Sequence, residues 1–158
     1  MAKMGVFFGS AVASFATTTG RKTALRIAPA ATRRVEIVEI RMTGAGSIAP
    51  ADIQHECTLG ACTAAGAGTL TAQTPQPMDQ GAQAAGSTCG VNATAEPTTY
   101  SAVLPISFGF NQRGGDRWAV PRGEGYIFGA ENTNLVAGVR IVSSSAGNID
   151  GDAHFWEP

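Results

Sequence analysis

Residues 135–143 read LVAGVRIVS. Leu135, Ala137, Val139 and Ile141 fall on one side of an extended chain, and Val136, Gly138, Arg140 and Val142 on the other. A period of two, rich in β-branched residues, specifies a strand. The same pattern recurs in both directions. KTALRIA (22–28) alternates and is ended by Pro29. RRVEIVEIRM (33–42) sets Val35, Ile37 and Ile40 among charges, with an imperfect alternation of Val35, Ile37 and Glu39 against Arg34, Glu36 and Val38. Ile53–Leu59 is a further candidate. Val103–Phe110 is strand-like except at Pro105, which places it at an edge or a bulge. The turns QRGGD (112–116) and PRGE (121–124) introduce strands at Arg117–Val120 and Gly125–Phe128, and Asp152–Glu157 closes the chain. No segment keeps a helical period for ten residues, and the Ala-rich stretches are broken by Gly, Thr and Pro. About eight short strands separated by turns predict an all-β fold, a β-sandwich or jelly roll.

Two regions stand outside this pattern. Residues 58–95 are built from Ala, Gly, Thr, Gln and Pro, with Asp79 as the single charge. They predict a long extended loop held by neighbours in a protein assembly, since a disordered linker would carry charge. Near the start, Lys3 and the run GVFFGSAVASFA (5–16) have the outline of a secretory leader, but Gly5, Gly9, Ser10 and Ser14 dilute it. The expectation is a first strand or an extended arm over residues 1–20, followed by one sandwich domain over 21–158. Arm and loop would cover the open sheet edges of their own subunit or of a neighbour.

The chain has 158 residues, enough for a real core. Charged residues make up only 15%, against a usual fraction of about 25%. A surface this neutral suits a protein largely covered by partners. Net charge is −1, which implies no bulk attraction to nucleic acid. The first 42 residues carry seven bases against two acids, and the remainder four bases against ten acids. A dipolar subunit that pairs head to tail, or docks on an acidic shell, is one expectation. No run reaches the roughly 18 apolar residues of a membrane span. Cys57, Cys62 and Cys89 are odd in number and lack CxxC spacing, so they predict reduced thiols rather than a disulfide framework or a zinc site.

Motifs with possible chemistry are weak. Gly44-Ala45-Gly46-Ser47-Ile48-Ala49 fits a dinucleotide fingerprint, but no helix follows, so a glycine-rich hairpin loop is the reading. Asn148-Ile149-Asp150-Gly151-Asp152 has alternating oxygen ligands but no downstream Glu at calcium-loop spacing, and Asp150-Gly151 reads as a hairpin turn. His55 and Cys57 share a strand face without further metal or nucleophile partners. His55 and His154 with the serines form no marked triad. No catalytic residue, cofactor or metal site is expected. Arg113, Arg117 and Arg122 bracket Trp118; with Asp116 and Glu124 interleaved, they suggest intersubunit salt bridges around a packed Trp rather than a nucleic-acid stacking platform.

The runs ISFGFNQRGGDRWAVPRGEGYIF (106–128) and NLVAGVRIVSSSAGNIDGDAHFWEP (134–158), with TLTAQTPQPMD (69–79) and PADIQHECTL (50–59), resemble the small jelly-roll virion proteins of tailed bacteriophages. The shared features are Asn111-Gln112-Arg113 before a turn, the Trp118 strand, a turn at Pro121 and Glu124, and the closing Phe155, Trp156 and Glu157. Arg122, between Pro121 and Gly123, departs from the pattern. The resemblance implies a head decoration, or cement, protein: a homotrimer bound to the major capsid protein on the outer capsid surface, assembled in the host cytoplasm, without nucleic-acid or membrane partners. A head-fibre or receptor- or glycan-binding module on the same fold is the alternative. Arg21, Lys22, Arg33 and Arg34 are then candidate contacts to an acidic patch of the shell or an adjacent subunit, and Arg113, Arg117, Trp118 and Arg122 candidate intersubunit contacts.

Overall fold

The computed structural model describes residues 2–8, 15–17, 20–44, 52–63, 70–97, 99–101, 104–129 and 135–158. None of these is helical. In chain order the strands are β1 (Ala2–Phe8), β2 (Phe15–Thr17), β3 (Lys22–Ala28), β4 (Arg34–Gly44), β5 (Gln54–Thr63), β6 (Thr71–Gln73), β7 (Gln76–Pro77), β8 (Thr88–Val91), β9 (Ile106–Asn111), β10 (Asp116–Ala119), β11 (Tyr126–Gly129), β12 (Leu135–Ser143) and β13 (Gly147–Glu157). They form two antiparallel sheets. Sheet I runs β10-β4-β13-β1-β7, with β11 also on β4 and β2 on β13; sheet II runs β6-β8-β3-β12-β5-β9. The two inner faces share one core. Met4, Val6, Phe8, Val35, Ile37, Ile40, Met42, Ile149, Ala153 and Phe155 come from sheet I, and Leu25, Ile27, Cys57, Leu59, Val91, Phe110, Ala137, Val139 and Ile141 from sheet II. The architecture is that of a β-sandwich.

Strands with clean alternation form where the sequence places them, β3 and β12 to the residue. The imperfect alternation of β4 has a structural cause. Glu39 lies opposite His154 and Ile37 opposite Phe155, so the register slips by one at Val38. This bulge reverses the inside–outside phase. Val35 and Ile37 point inward before it and Ile40 and Met42 after it, while Glu39 joins the charged groups on the outer face. β9 begins at the residue after Pro105 and lies at an edge of sheet II. Its turn into β10 needs Gly115, whose φ is +77° and where a Cβ would stand 2.5 Å from the Met42 carbonyl oxygen.

The long loop expected over 58–95 is largely built into the sandwich. β5 continues to Thr63 beside β12, with β9 on its other side as far as Leu59 and residues 100–101 beyond. The chain then adds β6 beside β8 at one edge of sheet II, crosses to sheet I as β7 beside β1, and returns as β8 beside β3. Met78 N–H donates to the Lys3 carbonyl at 2.8 Å. The buried Glu157 carboxylate accepts from Gly86 N–H at 3.0 Å, from Ser87 N–H at 3.3 Å and from Arg33 Nη1 at 3.3 Å. These segments find partners within their own subunit. Backbone pairing needs no side-chain pattern, so small residues conceal it. Residues 2–8, expected as a first strand or arm, form β1 between β13 and β7.

Two other expectations are corrected. Thirteen strand segments form among the described residues, not about eight, because β2, β6 and β7 are too short to show a pattern. Asn148–Asp152 is neither hairpin turn nor metal loop; it lies inside the continuous strand β13, paired with β4 from Ile149 onward. The glycine-rich loop at 45–49, Val103 and part of the 5–16 run lie outside the described residues.

Candidate interaction surface

The outer faces of the two sheets differ. That of sheet II is crossed by the chain itself. Asn92 and Ala93 N–H donate to the Ala24 and Thr23 carbonyls at 3.0 and 3.1 Å, and Ser101 N–H to the Ala61 carbonyl at 2.8 Å. Between these anchors the Glu96 carboxylate accepts from Thr23 N–H at 2.8 Å, from Thr23 Oγ1 at 2.6 Å and from the Tyr100 hydroxyl at 2.7 Å. The Arg140 guanidinium lies 3.4 Å from the centre of the Tyr100 ring. Burial, and then the hydrogen bond to Glu96, push the Tyr100 phenol up. This strap buries Ala93 and Pro97 over the sheet.

The outer face of sheet I carries a charged network. His154 on β13 donates from Nδ1 to Glu39 Oε2 on β4 at 2.9 Å, and its Nε2 is 3.8 Å from Asp152 Oδ1. Arg41 grips Asp152 with two parallel bonds, Nε to Oδ1 at 2.8 Å and Nη2 to Oδ2 at 2.6 Å. Arg117 on β10 reaches Glu39 Oε1 at 2.8 Å, and Lys3 on β1 reaches Oε2 at 3.7 Å. Burial pushes the Glu39 carboxyl up, but the hydrogen bond and charge of His154, with the charges of Arg117 and Lys3, outweigh it and hold the group below the usual carboxylate range. The acids lie at the floor and the guanidiniums stand above it. The Glu39 and Asp152 side chains are 8% and 10% exposed, those of Arg41 and Arg117 45% and 61%.

Apolar side chains surround this network. Phe7, Met78 and Ile127 are exposed, and Trp156 is half-buried with the Arg122 guanidinium 5.2 Å from its ring centre. Trp156 walls two shallow grooves. One is shared with Arg34, Val35, Glu36, Ile127 and Pro158, the other with Ala2, Lys3, Met78, Asp79 and Ala82. Gly5 leaves room for this arrangement: a Cβ there would meet Met78 Sδ at 3.1 Å and His154 Cδ2 at 3.2 Å.

The expected contact residues do not form one cluster. Arg34, Arg117 and Arg122 gather on sheet I. Arg21 lies against sheet II, bonded to Thr58 Oγ1 at 2.9 Å and Glu56 Oε2 at 3.0 Å, and half-buried Lys22 opens β3 of the same sheet. Arg33 holds Glu157, and Arg113 pairs with Asp52 at 3.2 Å in the exposed β9–β10 turn. Trp118 packs against the core. Arg21, Arg33, Arg113 and Arg117, expected to seek acids on a partner, thus have acids on their own chain. Sequence reasoning missed Glu39, Asp152 and His154 as a network, and Trp156 with Ile127 as a surface. Trp156 stands beside Glu157 in the sequence, but Ile127, between Tyr126 and Phe128, carries no such trace.

Cys57 and Cys89 lie in the core and Cys62 is buried at the end of β5; all three are free thiols. Burial pushes Cys62 up to about 11 and Cys89 up to about 12, and raises Cys57 as well. Beside Cys57, His55 shares a hydrogen bond from Nδ1 with Ser143 Oγ at 2.6 Å and stacks on Phe110 at 4.8 Å. A thiol held protonated by burial in the core is a packing group rather than a nucleophile. No protein family, curated protein or solved structure matches the chain.

Proposed function

We propose that this chain is a structural virion protein, a decoration or cement protein that binds the outside of an icosahedral phage head. It acts as a homotrimer at three-fold and quasi-three-fold positions and stabilises the shell. The fold part of the reading is supported by strand order. Taken along the chain, β1, β3, β4, β5, β9, β10 with β11, β12 and β13 divide into β1-β13-β4-β10 and β3-β12-β5-β9. These strands change sheet at every step except β5 to β9, an order that supports a jelly-roll reading. A fold alone gives no function. The virion assignment comes from the resemblance of residues 106–128 and 134–158 to phage virion proteins. It is supported by a low charge content and by exposed apolar side chains on one sheet face.

Cementing requires no chemistry. A protein that binds the assembled shell and not its separated subunits stabilises the shell by mass action. The test uses heads of the encoding phage stripped of this protein. Purified chain should co-sediment with them saturably, add density at three-fold positions in electron cryomicroscopy and raise the temperature at which heads rupture. Light scattering should give a trimer at micromolar concentration. Heads that neither bind the protein nor gain heat resistance would overturn the assignment.

A further inference from the structure

We propose that the outer face of sheet I, around Trp156, is a docking surface for a protein surface that presents carboxylates beside an apolar side chain. This deepens the decoration assignment, on which it rests only for the partner being a shell subunit. Three observations carry it. First, the two outer faces are not equivalent: the chain's own strap crosses sheet II, whereas no comparable segment among the described residues crosses sheet I. Second, charge on sheet I is layered. Glu39 and Asp152 are sunk into the floor while Arg41 and Arg117 remain about half exposed above them. A guanidinium has five N–H donors. Asp152 takes two from Arg41, and Glu39 engages Arg117 through Nε. What the face offers a partner is therefore cationic, although its bookkeeping of charge is nearly even. Arg34 and Arg122 add to it beside Trp156, with Asp79 and Glu124 at the rim.

Third, the apolar element is placed for anchoring. Trp156 separates two grooves, one bordered by exposed Ile127 and the other by exposed Met78. Tryptophan, arginine and methionine are the residue types enriched in binding surfaces. A carboxylate approaching Arg117 or Arg41 meets a fork already oriented by its floor acid, so little side-chain freedom remains to be lost. A phosphate backbone could also meet these arginines. It would gain nothing from Ile127 and Met78, and the sunken acids would repel a continuous line of phosphates.

The test uses the full ¹⁵N-labelled chain and three probes: a synthetic peptide alternating Glu and Leu, its Lys–Leu counterpart, and a single-stranded oligonucleotide. The Glu–Leu peptide should shift the Trp156 indole and the amides of Arg41, Arg117 and Ile127, with weaker binding at higher salt. Ile127→Glu alters an exposed apolar side chain, and should lower peptide affinity about tenfold, the scale of one anchor contact. Arg117→Gln should act in the same direction. Shifts confined to residues 92–101 or β9, an equal response to the oligonucleotide or the Lys–Leu peptide, or no response at millimolar peptide would each overturn the proposal. Head binding separates the two inferences. If Ile127→Glu and Trp156→Ala chains decorate heads as the parent does, this face is not shell-facing, though decoration stands. If the parent chain binds the peptide here and not the heads, decoration fails and the surface stands.

Discussion

Glu39 is buried because the bulge at Val38 turns it outward into a space closed by His154, Lys3 and Arg117. Its carboxyl titrates lower in the fold than in the unfolded chain, so its contribution is complete above the unfolded value and is lost as pH falls through the folded one. The stability difference between the parent and Glu39→Gln should therefore be full at neutral pH and close below about pH 4.3. Urea denaturation across pH measures it; a gap constant from neutral to acid pH would exclude this account. Gly151 permits a close approach rather than a special turn. A Cβ there would stand 2.5 Å from Phe8 Cζ and 2.6 Å from the Arg41 carbonyl oxygen. Backbone on one side and a fully buried ring on the other leave it no room. Gly151→Ala should cost about 1–3 kcal/mol in a chemical melt, the usual range for overpacking, and parent-like stability would show that β13 can shift.

The strands differ in how far their residues announce them. β3 and β12 could be delimited from sequence because alternation and Pro29 mark them. The second half of β5 could not: Gly60 faces Gly138, and Cys62 is buried as well as Cys57 and Leu59, so no polar face marks the strand. β6 and β7 owe their existence to partners far along the chain. The docking face was legible only in part. Arg117 and Arg122 stood out as charges around Trp118 and Arg34 as part of a basic stretch, but uniting Glu39 with His154 requires the register of two strands 115 residues apart, bulge included. The end of β13 is fixed by Glu157, whose carboxylate joins this strand to the Gly86-Ser87 backbone and Arg33. Glu157→Ala would strand these donors and should cost about 1.5–3 kcal/mol, the scale of hydrogen bonds to a charged group. Gly86 and Ser87 amides should then exchange faster than those of β12. Unchanged exchange at both would mean that the connection is held elsewhere.

At the scale of the molecule, segments that read as a loop awaiting neighbours have bonding partners within the chain. Amides of Met78, Gly86, Asn92, Ala93 and Ser101 should be protected in the isolated subunit, because each has a carbonyl or carboxylate partner within the chain. Hydrogen exchange by mass spectrometry decides this: free exchange across residues 78–101 in isolated subunits, with protection on heads only, would mean that assembly orders them. Sheet I has a further consequence. Ala2 lies opposite Glu157, and β13 fills the space between β1 and β4. A ribosome makes β1 first of these strands and β13 last. Until residues 147–157 emerge, Met4, Val6 and Phe8 have no strand to pair with on that side, and β4 lacks its main neighbour. Such distant pairings fold slowly, on the order of milliseconds to seconds, and leave apolar strands open to aggregation meanwhile. Translation thus runs against the order of the sheet, and the face around Trp156 forms only after every other described strand has been made.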